Sequence, residues 1–540
     1  MAKGFRPVDR DQPFLLPPDM RDWLPEGHLA WFVIDVAAML DVSRFAARQT
    51  PAGSLAGRAA YDPRMLLALL VYGYAVGVRS SRRMERACAE DVAFRVICAQ
   101  DVPDHATVAR FRREHFADPQ AVEDLFGQVL VLAARAGLGK LGHIALDGTK
   151  IAANASRDAN RTEAKLRELA AQILAEAEAV DAAEDELYGD ARGDELPPEL
   201  ADPKSRGERI RAALAELEAE RTAAQERRDV KAAGYLDAAA AGSPKPGNSP
   251  AAVAVELARR SVERARAAQQ AKIGDWQARN AASLAATGRP LRSRPPVAAG
   301  GYIRVRQAQA KLARAQQRAA DAQRAAAAPE AARTGPGPVR NTTDLDSRLM
   351  PVRGGGFVQG FNAQAVHSAD GLCLAAGVTQ ETTDYASFEP MMHHAEAASG
   401  LLRAHARGPL HRLRAKIGIM LADAGYCSAR NLTIAGPDRL IATGKGHDLE
   451  RAARQGGKAD PARDGPAAKM AIRLATPQGI AAYRRRGPLA EGPFGDIKHN
   501  HGFRRFSMRG LQRAQGEWAF QNTVTNLLKI HAALTRPARA

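Results

Sequence analysis

The sequence predicts a mixed α/β protein with an all-α N-terminal region and a long helical insertion. Three observations carry that prediction. Residues 1–140 hold dense apolar runs at helical spacing behind N-cap signals. Residues 157–339 are rich in Ala, Glu, Gln and Arg but poor in large apolar side chains. From about residue 340 the apolar period shifts towards two, and strand-like runs alternate with helical ones. At 540 residues the chain is long enough for two to four domains. It divides into a helical N-terminal domain (1–140), a first strand segment (141–156), the insertion (157–339) and the remainder of the α/β domain (340–540).

In "YDPRMLLALLVYGYAVG", Asp62 is the N-cap and Pro63 the first helical residue. Ser80 or Ser81 opens a second helix, "SRRMERACAEDVAFRVI", and Asp104 caps a third, "HATVARFRREHF". The third carries Arg110, Arg112 and Arg113 beside an apolar stripe of Val108 and Phe111. That arrangement is compatible with a helix-turn-helix contacting DNA, and equally with a plain helical bundle bearing a solvated charged face. The insertion reads as long, partly exposed helices joined flexibly at breakers such as "AGSPKPGNSP" and "TGRPLRSRPP". Its Ala-rich seams bury little area per turn, so its independent stability is marginal.

In the last third, "GGFVQGFNAQAVHS" and "GLCLAAGVTQ" predict paired strands around the turn "ADG". A helix follows in "YASFEPMMHHAEAASGLLRAHA", then a strand ending at Asp423 in "KIGIMLADAGYCS", and another in "RLIATGKG". A polar, Gly-rich loop runs to about 466. Thr476 and Pro477 then open "PQGIAAYRRRG", and helices are expected in "PLAEGPFGDIKHNHGFRRFSMRG" and "GEWAFQNTVTNLLKIHAAL".

The formal charge of +17, from 77 Lys and Arg against 60 Asp and Glu, suggests a polyanionic partner. A genome-wide bias towards Arg and Ala would also raise the charge. The four cysteines include no CxxC pair, which fits a reducing compartment. The longest apolar run, Met65 to Val78, is too short to span a bilayer, and "MAKGFRPVDRDQ" lacks an apolar signal core. The expected location is cytoplasmic, associated with the nucleoid.

Two strand-like runs end in acids, "HIALD" at Asp147 and "IMLAD" at Asp423. Asp147-Gly148 taken alone also reads as an ordinary turn. Functional groups gather at the carboxyl ends of strands in α/β sheets, and adjacent strands would bring the two acids together. A divalent cation, Mg²⁺ or Mn²⁺, would relieve their repulsion. Glu491 is the best third acid, because Lys498 lies seven residues on and shares its helix face. Gly492-Pro493 predicts a kink there, or a helix start held by tertiary contacts. Asp384 in "ETTDYASF" reads as a helix cap. Asp496 faces away from Glu491, and His499 and His501 read as phosphate or water contacts.

The motifs "LDGTKIAANAS", "DSRLM…GGFVQGFNAQAV", "DAGYCS" and "YRRRGPLAEGPFGDIKHNHGFRRF" resemble insertion-sequence DDE transposases. The nearest group is the one related to IS-eleven-eighty-two, in the IS-four/IS-five assemblage. The resemblance covers the helical N-terminal region and about 340–540. It implies an RNase H-like catalytic domain with a triad of Asp147, Asp423 and Glu491. It also implies phosphate contacts from Tyr483, Arg486 and Lys498, with Arg485 interchangeable with Arg486 because the interval to the Glu is one residue longer than usual.

The expected chemistry is two-metal phosphoryl transfer on double-stranded DNA, cleaving element ends and joining the 3′-hydroxyl to target DNA. No GxxxxGK[ST] loop is present, so no nucleotide cofactor is expected. The active assembly is expected to be a homo-oligomer, with no membrane partner. Arg504 and Arg505 extend a basic path beyond the acids, unless that run is merely a solvated face. A catalytically idle DNA-binding remnant and a nuclease that does not join strands are the competing readings.

Overall fold

The structure, a computed structural model, describes residues 19–46, 60–172, 202–241, 249–327, 339–352, 354–444 and 465–535. It divides into two compact units, one built from 1–159 and 343–540 and the other from 160–342.

The N-terminal helices are α1 (Leu29–Met39), α2 (Ser43–Ala46), α3 (Pro63–Ala75), α4 (Ser81–Glu90), α5 (Val92–Ile97), α6 (His105–His115) and α7 (Pro119–Arg135). Local chemistry sets their starts. Asp62 accepts from Arg64 N with Pro63 in the first turn, and Asp104 accepts from Thr107 N. The single helix expected over "SRRMERACAEDVAFRVI" is two helices. The Asp91 carboxylate accepts from Ala93 N and Phe94 N, which ends α4 and starts α5.

Strand β1 (His143–Ala152) follows. The strand expected to stop at Asp147 therefore continues, and Asp147-Gly148 is not a turn. Both residues pair with the neighbouring strand, Asp147 opposite Ala365 and Gly148 opposite Gln364.

The second unit opens with β2 (Asn160–Thr162), contains α8 (Asp202–Ala240), α9 (Ala251–Thr287) and α10 (Ile303–Ala327), and closes with β3 (Val339–Asn341). The β2–β3 pair is antiparallel, with Asn160 opposite Asn341. Residues this polar gave no strand signal in the sequence. Beside the pair, Arg340 is 3% exposed and meets Glu216 at 3.2 Å and Glu220. Val253, Ala258 and Val262 of α9 and Val305, Ala308 and Ala315 of α10 are buried, the small seam expected of an Ala-rich pair. The α9–α10 joint is hydrogen-bonded along α9, contrary to the flexible joint expected. Gln269 donates to Val297 O at 2.7 Å, Trp276 to Ser293 Oγ at 3.1 Å, and Leu291 N to Asn280 Oδ1 at 2.9 Å. Most of "AGSPKPGNSP" lies outside the described residues.

The first unit resumes with β4 (Arg348–Pro351), β5 (Phe357–Ser368), β6 (Cys373–Thr379), α11 (Phe388–His405), α12 (Pro409–Arg414), β7 (Ile419–Ala422), α13 (Ala429–Thr433) and β8 (Asp438–Ile441). It ends with α14 (Pro466–Ala475), α15 (Pro477–Tyr483), α16 (Arg486–His499) and α17 (Leu511–Thr535). Most of the polar loop before 466 lies outside the described residues. The sheet is mixed, in the order β5–β1–β7–β8, with β4 and β6 both pairing β5. The β5 pairs with β1, β4 and β6 are antiparallel, while β1–β7 and β7–β8 are parallel.

Helix α17 is buried from Gly516 to Leu527, polar residues included. The Thr523 and Thr525 hydroxyls and the Asn522 amide nitrogen donate to carbonyls four residues back. Buried Glu517 accepts from Tyr74 Oη at 2.8 Å and from Ser507 N at 2.8 Å, tying α3 to α17 and to the segment before it. Arg79 lies over the Phe503 ring at 4.4 Å and donates to the carbonyls of Gly502 and Arg505. The helical N-terminal region is thus packed into the same compact unit as the sheet.

Candidate active site

Strand register brings the first two acids together. In the parallel β1–β7 pair, His143 lies opposite Ile419 and Ala145 opposite Leu421. Carried two residues further, that register points Asp147 towards Asp423, near enough for the Asp423 charge to act on the Asp147 carboxyl. Asp423 follows the last residue of β7 and caps the next turn, accepting from Gly425 N at 2.9 Å. The pairing of β1 with β7 ends at Ala145, so Asp147 stands at the edge of the gap that β7 leaves.

The third acid arrives on α16. Ala490, Phe494 and Ile497 are buried at i, i+4 and i+7, and Phe494 stacks on Trp518 at 6.1 Å. Pro493 lies inside this helix. An interior proline costs about 3 kcal/mol, and burial of the Phe494 and Ile497 side chains offsets it at about 1.5–3 kcal/mol each. The helix starts at Arg486 instead of at the proline.

All three acids converge on Arg486. Its guanidinium lies 3.1 Å from Asp147, 3.5 Å from Asp423 and 4.0 Å from Glu491. Asp147 and Arg486 are 15% and 14% exposed, whereas the Glu491 side chain is 67% exposed. Burial is the main reason that the Asp147 carboxyl is pushed up to about 6; Arg486 opposes the rise, and Asp423 and Asp384 add to it. Arg486 Nε is buried without a hydrogen-bond partner among the described residues. Among the described residues, no three His, Cys, Asp or Glu side chains stand close enough to share one metal ion. The acids are held around a cation of the chain itself.

Arg485 and Arg486 are not equivalent in the structure. Arg485 turns to His143, with Nη1 3.2 Å from the Nδ1 atom. Tyr483 donates to the Ala422 carbonyl at 3.4 Å, just before Asp423, and burial raises its phenol. Lys498 donates to the Thr149 hydroxyl, two residues past Asp147, and burial lowers its ammonium. Arg504 and Arg505 are exposed, and Arg504 donates to the Lys498 carbonyl at 3.1 Å. On α6, Arg110 and Arg113 are exposed. Arg112 is a correction: it is 7% exposed and donates to Arg79 O at 2.6 Å, so it packs the fold and cannot reach a phosphate.

Asp384 holds the N-cap position of the short turn Tyr385–Ser387, as its sequence context suggests, but its side chain makes no capping bond. It accepts instead from Asn362 Nδ2 at 2.7 Å and Gln364 Nε2 at 2.9 Å, with Lys150 Nζ at 3.5 Å. It is a fourth acid at the site, close enough to raise the Asp147 carboxyl. Gly148 makes room for it, since a Cβ there would run into the Gln364 amide and approach Asp384 to 2.9 Å. The missed signal was Asn362 and Gln364 alternating in β5 with the apolar Phe361, Ala363 and Ala365. Asp496 takes no part: it accepts from Asn500 Nδ2 at 2.5 Å, and buried His501 lies 3.9 Å from it. His499 Nδ1 lies 3.0 Å from Arg504.

No described helix is long and apolar enough to cross a membrane. No curated protein and no solved structure matches the chain significantly. Residues 18–114 match the family described as a transposase domain (DUF772), and residues 452–531 match the one described as a transposase DDE domain. The two matches, one on the N-terminal helices and one on the segment carrying Arg486 and Glu491, support an insertion-sequence DDE transposase.

Proposed function

We propose that this chain cleaves the ends of an insertion sequence and joins the freed 3′-hydroxyl to target DNA, with Asp147, Asp423 and Glu491 as its catalytic acids. The observation that carries the reading is their convergence, from three distant segments, on the single guanidinium of Arg486. Its assignment to the group related to IS-eleven-eighty-two rests on the sequence motifs. An RNase H-like fold is supported by antiparallel strands β6–β5–β1 continued by parallel β7 and β8, with the acids at the carboxyl end of β7.

The donor set suits hard divalent cations, since all three side chains offer carboxylate oxygen and already surround a positive charge. Asp147, Asp423 and Glu491 would hold two ions, Mg²⁺ or Mn²⁺. When bound, these supply activation of the attacking water and stabilisation of the leaving 3′ oxygen. Arg486 keeps the three acids gathered as a counter-charge common to them. Lys498, anchored on Thr149, and exposed Arg504 and Arg505 present positive charge to the phosphate backbone beside the acids. The partner is double-stranded DNA, the reaction exchanges phosphodiesters without a nucleotide cofactor, and the working assembly is a homo-oligomer in the cytoplasm.

The test is a labelled element end incubated with the chain and Mg²⁺ or Mn²⁺. Asp147→Asn, Asp423→Asn and Glu491→Gln are each expected to abolish cleavage while end binding persists. Equal loss of binding in all three would assign these residues to structure. Covalent attachment of the labelled 3′-hydroxyl end to a second duplex is the expected wild-type product. Shortened product alone means a nuclease, and binding without any product means an idle remnant.

A further inference from the structure

Positive charge in the second unit is segregated. Helix α8 is balanced, with eight Lys and Arg against eight Asp and Glu. The hairpin of α9, its joint and α10, residues 251–327, carries fifteen against four. Its net +11 is most of the chain's +17. All four acids of the hairpin are occupied by arginines of their own helix. Glu256 meets Arg259 and Arg260, Glu263 meets Arg259, Asp275 meets Arg279 and Asp321 meets Arg324. Among the described residues, Arg304, Lys311, Arg314 and Arg318 of α10 have no carboxylate partner, and all four are exposed.

The spacing of these cations is regular. Arg304, Lys311 and Arg318 recur every seven residues, so they share one face about 10 Å apart. Val305, Ala308 and Ala315 face α9. The joint adds exposed Arg289, Arg292 and Arg294 on a segment fixed to α9 by the hydrogen bonds given above. Helix α10 is about 37 Å long, close to the 34–36 Å of one turn of duplex DNA.

We infer that the 251–327 hairpin is a second nucleic-acid contact, an arm that binds the phosphate backbone of duplex DNA without reading its sequence. This rests on the transposase reading for the choice of DNA as the polyanion. Leu284, Val297 and Ile303 are exposed, but one lies on α9, one in the joint and one at the start of α10. Among the Ala, Gln and Arg of the exposed faces they form no apolar stripe of the kind an interfacial helix sinks into a bilayer. These faces also offer no free aromatic anchor of the kind a protein hot spot uses, since Trp276 donates to Ser293 and the Tyr302 ring lies beneath Lys272. What they offer is a rigid row of point charges, matched to a polymer with one charge per about 1.7 Å.

The experiment uses the full chain and a duplex of arbitrary sequence, with affinity measured from 50 to 200 mM salt. The arm variant is Arg304→Gln, Lys311→Gln and Arg318→Gln together; Gln keeps helix propensity, and circular dichroism checks the fold. The control removes equal charge from α8 with Arg227→Gln, Arg228→Gln and Lys231→Gln. The arm variant is expected to lose about 2.7 from the log–log salt slope, at about 0.9 per phosphate contact, which is about a 40-fold smaller fall in affinity over that range. The control is expected to keep the wild-type slope. An unchanged slope in the arm variant, or an equal change in the control, overturns the inference. So does a variant that loses binding to phosphatidylserine vesicles but not to the duplex, which would make the partner a membrane. A wild-type chain that binds duplex through the arm yet never cuts an element end would keep this inference and lose the transposase reading.

Discussion

Replacing Arg486 with Gln removes a positive charge that meets Asp147, Asp423 and Glu491 alike. At 3.1 Å and an effective dielectric of about 20, the contact with Asp147 alone is about 5 kcal/mol of gross attraction. Desolvation of both groups opposes that figure, and removing one partner of a mostly buried pair costs about 3–5 kcal/mol net. At no more than about 2 °C per kcal/mol for a unit of this size, Arg486→Gln should melt below wild type in EDTA by at most about 6–10 °C. The deprived carboxylates then form a stronger cation site. Manganese at about a hundred times its dissociation constant should return about 2.7 kcal/mol to the variant. Wild type should gain less, because an incoming ion must first displace the guanidinium. Thermal melts with and without Mn²⁺ read both effects. A variant that melts with wild type in EDTA, and responds to manganese no more than wild type does, would refute the idea that Arg486 holds these acids together.

Two further outcomes follow from the same neighbourhood. Burial raises the Asp147 carboxyl to about 6 from an unfolded value of 3.8, so the folded state holds the extra proton and loses stability as pH rises through that window. The stability of Asp147→Asn relative to wild type in urea unfolding should therefore rise by up to about 3 kcal/mol between pH 3.8 and pH 8, whatever the lost Arg486 contact costs at a fixed pH; a pH-independent difference contradicts the shift. Gly148→Ala should destabilise the first unit by about 1–3 kcal/mol, because the added methyl forces the Gln364 amide and Asp384 aside. A neutral result in urea unfolding would mean that this corner yields without cost.

Signals confined to a few residues were legible in the sequence. Asp62-Pro63, Asp104 and Thr476-Pro477 each cap the helix expected of them, because a cap is a bond between a side chain and a backbone group two or three positions on. The β5–β6 pair turns at Asp370-Gly371, with Gly371 at φ 77, as "ADG" predicts. Asp147 and Asp423 could be picked out as acids that end apolar runs, and Glu491 by Lys498 seven residues on.

Tertiary structure decided the rest, since these outcomes depend on partners far along the chain. The β1–β7 register points Asp147 towards Asp423, and the pairing of Gly148 with Gln364 turns an apparent Asp-Gly turn into strand. Of two adjacent arginines, the packing of α16 sends Arg486 to the acids and leaves Arg485 at His143. Arg112 is buried and Asp384 drawn to Asn362 and Gln364 for the same reason. Local chemistry selects each element, but the direction in which a charged side chain finds its partner is settled only when distant elements pack.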